Sequence, residues 1–104
     1  MAQEDLVQQL KALGDMTRLH ILQLLPATNR CEDVYNVSEL AAELGVPQPT
    51  ISHHLKILHQ AKLVRCQRMC RDVYYWIDQD EMTVVQTALH TMTAGHETAA
   101  SDKG

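Results

Sequence analysis

Residues 37–77 constrain the fold more than any other part of the chain. They have the pattern of a short helix, a tight turn, a second helix and two strand-forming segments around a basic tip. Gly45 suits the left-handed backbone that ends a helix. Pro49 is tolerated in the first turn of the second helix, because its missing N–H needs no partner there. This order predicts a helix-turn-helix followed by a β-hairpin spanning about residues 63–77.

Helices are also predicted before this stretch. Residues 4–13 carry an apolar stripe at helical spacing, made by Leu6, Val7, Leu10 and Leu13. Asp15 is placed to cap a second helix, which Pro26 ends. Residues 27–36 form a polar loop that contains Cys31. We expect Val37 to add one strand residue and Ser38 to cap the next helix.

A last helix is predicted over residues 78–94. Its apolar side chains recur at three- and four-residue steps, as Met82, Val85, Leu89 and Met92. A monomer of this size cannot readily cover this stripe and that of the first helix, so we expect both helices to form a symmetric dimer interface. The alternative is that both complete the monomer core. Because a helix-turn-helix followed by a hairpin is typical of DNA-binding proteins, we expect residues 1–95 to form one winged helix-turn-helix DNA-binding and dimerisation domain, and residues 96–104 a flexible tail.

Composition limits the class of protein. A chain of 104 residues predicts one domain, and no apolar run approaches the length of a membrane span. The acidic, amphipathic N-terminus does not resemble a signal peptide, so we expect a cytoplasmic protein. Three cysteines in a reducing compartment are more typical of free, metal-binding or redox-active thiols than of a disulfide framework.

The net charge of −4 hides an uneven distribution. Residues 48–71, here called the acid-free stretch, contain no Asp or Glu and five basic residues: Lys56, Lys62, Arg65, Arg68 and Arg71. All 13 acidic residues lie elsewhere. A basic face on an acidic body can bind DNA with an affinity that falls steeply with salt.

The second helix of the predicted helix-turn-helix has polar side chains at the positions where a recognition helix meets base edges in the major groove. They are Gln48, Thr50, Ser52, His53 and Lys56. At the hairpin tip, Arg68 and Arg71 can reach the DNA backbone or enter the minor groove. Arg18 is either a phosphate contact or structural, and His54 is expected to be half-buried or to face a phosphate.

Residues 11–25, 37–58 and 63–77 together resemble the ArsR/SmtB family of dimeric winged-helix repressors, over about residues 8–90. Met16 stands where that family usually has Pro. The resemblance implies a mainly α, five-helix winged helix-turn-helix fold and a homodimer formed by the first and last helices. It also implies an inverted-repeat operator in double-stranded DNA, with no cofactor required for binding, and release by an inducer.

The family's usual sensor positions are poorly filled in this chain. Its arsenic-type cysteines correspond to Asn36 and Ser38. Its zinc-type ligands on the last helix correspond to Gln79, Glu81, Met92 and Gly95, and a shift by one residue recovers only Asp80 and His96.

Cys31, Cys66 and Cys70 are therefore the remaining candidates for a metal or inducer site. Three converging thiolates suit As(III), Sb(III) or a soft divalent metal. A second hypothesis is redox sensing, because the neighbouring arginines stabilise the thiolate that oxidants attack. A third is that the cysteines have no sensory role. With a turn centred on Met69–Cys70, Cys66 is expected opposite Val73. The absence of Gly and Asn predicts either a loose turn or a Cys70 that is present for a reason other than turn geometry.

An enzyme is not indicated, because no Gly-rich phosphate loop, carboxylate pair or Ser-His-Asp arrangement is visible. A winged helix can also act as a protein-interaction module without binding DNA. The acid-free stretch and the polar recognition positions favour DNA over that alternative.

Overall fold

The computed structural model describes residues 3–28 and 35–94. Its helices are α1 (Gln3–Leu13), α2 (Met16–Leu24), α3 (Val37–Leu44), α4 (Gln48–Gln60) and α5 (Gln79–Ala94). Its strands are β1 (Tyr35–Asn36), β2 (Val64–Met69) and β3 (Asp72–Ile77), in the antiparallel order β1-β3-β2. The mainly α winged helix-turn-helix with five helices is confirmed. Cys31, Gly95, His96 and the predicted tail lie outside the described residues.

Two helix starts show how local side-chain chemistry sets the boundaries. Asp15 caps α2 as predicted, because its carboxylate accepts a hydrogen bond from the Arg18 backbone N–H at 3.1 Å. The cap of α3 is Asn36, and the prediction of Ser38 was wrong. Asn36 and Glu39 form a reciprocal capping box, so Val37 is the first helical residue and adds nothing to a strand.

The α3–α4 turn follows the sequence prediction. Gly45 has φ of 66°, and the Val46 N–H donates to the Ala41 carbonyl at 3.1 Å. Pro47 lies in extended backbone just before α4, and its carbonyl accepts hydrogen bonds from the Thr50 and Ile51 N–H groups. This short connection places α4 directly against α3.

The β2–β3 hairpin, called the wing (residues 64–77), differs from the prediction. Met69 pairs with Asp72, so a tight two-residue turn at Cys70 and Arg71 closes it. Cys70 supplies the left-handed backbone (φ of 59°) that such a turn requires and that Gly usually provides. The loose turn is therefore wrong, and Cys66 lies opposite Tyr75 rather than Val73.

The core lies where the five helices and the base of the wing meet. Its fully buried apolar side chains are Ile21, Leu40, Ile51, Leu55, Leu58 and Leu63. One polar side chain, Gln9, is buried with them. Its Nε2 donates to the Ala61 carbonyl at 3.0 Å and to the Glu81 carboxylate at 2.6 Å, and its Oε1 has no partner among the described residues.

The outer surfaces of α1 and α5 are only partly covered. Val85 is 2% exposed and packs into the core, with Met82 and Leu89 partly buried against it. Val7 and Met92 remain about half exposed, at 50% and 54%. The α5 stripe thus contributes to the monomer core and also leaves apolar surface uncovered. No helix in residues 3–28 and 35–94 is long and apolar enough to cross a bilayer.

Candidate nucleic-acid interface

Helix α4 has one face in the core and one face in solvent. Ile51, Leu55 and Leu58 are fully buried. The predicted DNA-reading side chains all lie exposed: Gln48, Thr50, Ser52, His53 and Lys56. The 3.6-residue period produces this separation, because side chains three or four positions apart share a face. The start of α4 can therefore enter a major groove without disturbing the core.

The N-terminal end of α4 is tied to α3 by side chains as well as by the turn. The Gln48 amide donates to the Ser38 hydroxyl at 3.5 Å, a long hydrogen bond at an exposed position. At this length and exposure the bond is weak, so it does not fix the Gln48 side chain in one position. Ser38 therefore contacts Gln48 rather than capping α3.

Arg18 and His54, whose roles the sequence left undecided, both make contacts within the protein. Arg18 donates from Nε to the Ala12 carbonyl and from a terminal nitrogen to His54 Nδ1 at 3.0 Å. It thus connects the end of α1 to α4, and it is half-buried. The His54 side chain is mostly buried, with 13% exposed, and its Nδ1 lies 3.9 Å from the Asp15 carboxylate.

The protonation of His54 follows from this environment. Burial lowers the pKa of His54 below its ordinary value, Asp15 partly offsets the shift, and Arg18 and His53 add to it. A neutral ring is required for Nδ1 to accept the bond from Arg18. The Arg18–His54 contact is thus made by an uncharged imidazole. The pKa of Asp15 is lowered mainly by its hydrogen bond from the Arg18 backbone.

The tip of the wing carries the predicted arginines. Arg68 and Arg71 are both exposed, on β2 and in the turn. Asp72 follows them and accepts a hydrogen bond from the Asn36 side chain at 3.3 Å. The sequence reasoning missed Asn36, although an Asn followed three residues later by Glu is the signature of a capping box.

The two described cysteines have different surroundings. Cys66 is half-buried on β2, whereas Cys70 is exposed in the turn. Cys66 also lines a shallow cleft of about 400 Å³ with His59, Lys62 and Arg65. Burial, and then Cys66, raises the pKa of Tyr75 opposite it. Among the described residues no three Cys, His, Asp or Glu side chains cluster as a metal site would require.

A helix-turn-helix with an exposed polar second helix and a basic hairpin defines the class of winged-helix DNA-binding proteins. The sequence profile described as "Bacterial regulatory protein, arsR family" matches residues 15–65. A transcriptional regulator of Methanocaldococcus jannaschii, itself described as uncharacterized, is 42% identical over 73 residues, 69% of this chain and 76% of the relative. The transcriptional repressor SdpR of Bacillus subtilis is 33% identical over 82 residues, 79% of this chain and 82% of SdpR. The chain belongs to the ArsR/SmtB family of transcriptional regulators.

Solved structures agree with this assignment. An ArsR-like transcriptional regulator from Rhodococcus sp. RHA1 superposes with a TM-score of 0.81 at 25% identity, covering 96% of this chain and 90% of that one. A possible ArsR-family regulator from Mycobacterium bovis has a homodimeric winged helix-turn-helix DNA-binding domain. It superposes with a TM-score of 0.66 at 26% identity, covering 90% of this chain and 86% of that fragment. The relatives and neighbours are regulators of transcription rather than enzymes.

Proposed function

We propose that this chain is a homodimeric transcriptional repressor that binds an inverted-repeat operator in double-stranded DNA. The observation that carries the proposal is the exposed polar face at the start of α4, which lies within the acid-free stretch and is followed by a basic wing. The relative SdpR is itself a repressor. A repressor of this kind blocks transcription by occupying DNA and needs no catalytic group.

The roles of the interface residues follow from their chemistry. Gln48 can pair with both hydrogen-bonding atoms of an adenine edge, and His53 can donate to a guanine or a phosphate. Thr50 and Ser52 contact a base or a phosphate, and Lys56 supplies charge one turn further along α4. Arg68 and Arg71 of the wing bind backbone or minor groove. Base contacts then select the sequence, while the wing adds affinity.

The dimer is supported by the apolar surface that one chain leaves uncovered. Val7 and Leu10 of α1 and Val84 and Met92 of α5 are large apolar side chains with exposures of 38% or more. Contact between copies would remove them from water. The winged-helix domain from Mycobacterium bovis is a homodimer of the same fold. Two-fold symmetry places the two α4 helices on successive half-sites about one DNA turn apart.

A titration with labelled DNA tests the proposal. Fluorescence anisotropy at salt concentrations between about 50 and 200 mM should show tight binding to an inverted repeat upstream of the chain's own gene, weakening steeply with salt. The matched control is a DNA of the same composition with one half-site scrambled. Lack of binding to any inverted repeat at low salt would instead favour a protein-interaction module.

The finer part of the proposal concerns the inducer. We propose that it acts through the thiols of Cys31, Cys66 and Cys70, with As(III), Sb(III) or a soft divalent metal as the inducer class, because thiolates prefer such ions. Cys66 and Cys70 lie four residues apart along the wing, roughly 13 Å at strand spacing. An ion held by both would open the hairpin, and opening it would displace Arg68 and Arg71 from the DNA.

Thiol oxidation is the second candidate, and the exposure of Cys70 between two arginine neighbours favours it. A direct Cys66–Cys70 disulfide needs Cα atoms within about 7 Å, so it too would require the hairpin to open.

The test of both candidates compares DNA release by arsenite and by peroxide in the parent, the Cys66→Ser/Cys70→Ser double variant and Cys31→Ser. Normal release of the double variant by both reagents would exclude the wing thiols as sensors.

A further inference from the structure

Asn36 lies where three elements of the DNA-binding unit meet. It ends β1, caps α3 and reaches the wing. Its Oδ1 accepts a hydrogen bond from the Glu39 backbone N–H at 2.8 Å, and its own backbone N–H donates to the Glu39 carboxylate at 2.9 Å. Its Nδ2 donates to the Asp72 carboxylate at 3.3 Å. One amide side chain thus bonds the helix-turn-helix with its oxygen and the wing with its nitrogen.

Few side chains can make both bonds. The cap needs an acceptor close to the backbone, which Ser, Thr, Asp and Asn all provide. The contact with Asp72 needs a donor, which an ionised Asp lacks. A hydroxyl can donate as well as accept, but Ser is too short to reach the wing while it caps α3. Asn is therefore suited to the position in a way that no other common cap residue is.

The contact supports a part of the wing that otherwise has only the pairing of its own two strands among the strand pairings and side-chain hydrogen bonds of the described residues. Backbone pairing between β1 and β3 ends at Asn36 and Tyr74. Asp72 lies two residues closer to the tip and pairs only with Met69 of its own hairpin. The Asn36–Asp72 bond extends the support of β3 to the residue next to Arg71. It therefore acts on the segment that aims the wing arginines.

We propose that Asn36 is a positioning residue that sets the angle of the wing tip relative to the helix-turn-helix through its side-chain bond to Asp72. The inference rests on the proposed DNA binding for its consequence, since a fixed angle lets α4 occupy the major groove while Arg68 and Arg71 reach the backbone. The effect of Asn36 on the angle of the wing tip does not itself depend on DNA binding.

A swap of the two side chains tests the bond. Asn36→Asp keeps the cap acceptor but removes the donor and sets two carboxylates against each other. Asp72→Asn removes one of these charges. The double variant Asn36→Asp/Asp72→Asn restores a donor–acceptor pair in the reverse direction and has the net charge of the parent. Asn36→Ser is the uncharged control that keeps a cap acceptor without reaching Asp72.

The expected readout is DNA affinity as a function of salt. Asn36→Asp should lose about tenfold in affinity and flatten the slope of log K against log salt by about 0.9 to 1.8, the loss of one or two phosphate contacts. Asn36→Ser should show a smaller loss of the same kind. The double variant should recover the parent's slope. A lowered melting temperature with an unchanged slope, or no recovery in the double variant, would mean that Asn36 is only a helix cap.

Hydrogen exchange without DNA makes the result independent of the proposed function. Asn36→Asp should speed exchange of the amides of residues 69–73, whereas α4 keeps the protection of the parent. Unchanged exchange at the tip would overturn the positioning role. If the parent binds no operator but the tip loosens as expected, DNA binding fails and the positioning role remains.

Discussion

Helix α4 and the wing are the two parts of this molecule that we propose contact DNA, and they are held in opposite ways. Helix α4 is fixed by three fully buried side chains, Ile51, Leu55 and Leu58. The wing has one buried residue of its own, Val64 at its base, and its tip is held by strand pairing and an exposed hydrogen bond from Asn36. If the proposed DNA contacts hold, base reading is thus built on an element fixed by the core, and phosphate contact on one with little apolar burial.

The difference follows from the geometry of the two elements. A helix can bury one stripe and expose another along its whole length. A two-stranded hairpin that projects from a domain exposes both faces at its tip, so little apolar burial is available to hold it. If the wing contacts DNA as proposed, a regulator gains from this arrangement, because a small change at the wing would alter affinity without unfolding the domain.

The largest effect is expected from breaking the anchor of α4. Leu55→Ala should lower the free energy of unfolding by about 2–5 kcal/mol, because it leaves a cavity at a fully buried site. Thr50→Ala, on the exposed face of the same helix, is the control and should change stability by less than about 0.5 kcal/mol. Urea denaturation monitored by circular dichroism measures both. A Leu55→Ala cost below about 1 kcal/mol would mean that α4 is not the rigid member of the pair.

Removing a base contact from α4 should have the next largest effect. Gln48→Ala is expected to lose about 1–3 kcal/mol of binding to the operator and to relax discrimination at a single base pair. Binding to scrambled DNA should hardly change, because the phosphate contacts remain. Anisotropy titrations with a set of single-base operator variants measure this. An equal loss of affinity for all DNA sequences would show that Gln48 contacts the DNA backbone rather than a base.

The wing should show the opposite pattern. Arg68→Ala/Arg71→Ala is expected to weaken binding to operator and scrambled DNA alike and to flatten the salt slope by about 1.8, or about 0.9 for each lost phosphate contact. Arg65→Ala, on the same strand nearer the base, is the matched control and should change the slope less. Loss of binding to the operator alone would show that the wing reads sequence.

The smallest expected effect is on the pH dependence of stability, through the Arg18–His54 contact that joins the end of α1 to α4. Because the folded pKa of His54 lies below its usual 6.5, the unfolded chain takes up the proton more readily. The contribution of His54 to stability is therefore complete above about pH 6.5 and is lost as pH falls through that value toward the folded pKa. His54→Gln keeps an acceptor for Arg18 and should flatten the decline in melting temperature between pH 7.5 and 5.5. An equally steep decline in the variant would assign the pH dependence to other groups.

The parts of the fold that sequence could predict are those set by neighbours in the chain. Asp15 caps α2 and Gly45 ends α3 through contacts within a few residues, and the reading face of α4 follows from the helical period alone. The hairpin register was mispredicted because Cys70 adopts a backbone conformation that composition rules assign to Gly or Asn.

Contacts between residues far apart in the chain could not be predicted from local sequence patterns. The pairing of β1 with β3 and the Asn36–Asp72 bond join residues 36 or more positions apart. The burial of Val85 likewise depends on how α5 packs against α1, which a helical stripe does not specify. The roles of the three cysteines stay predictions, since their chemistry depends on which side chains meet across such distances.

Gln9 has a consequence for how long the folded chain persists. Its amide nitrogen binds residues 52 and 72 positions away, so these bonds form only after α1 has met both the end of α4 and the start of α5. Bonds that form after the folding transition state slow unfolding and leave the folding rate nearly unchanged. We therefore expect replacement of the buried amide at position 9 to speed unfolding more than it slows folding.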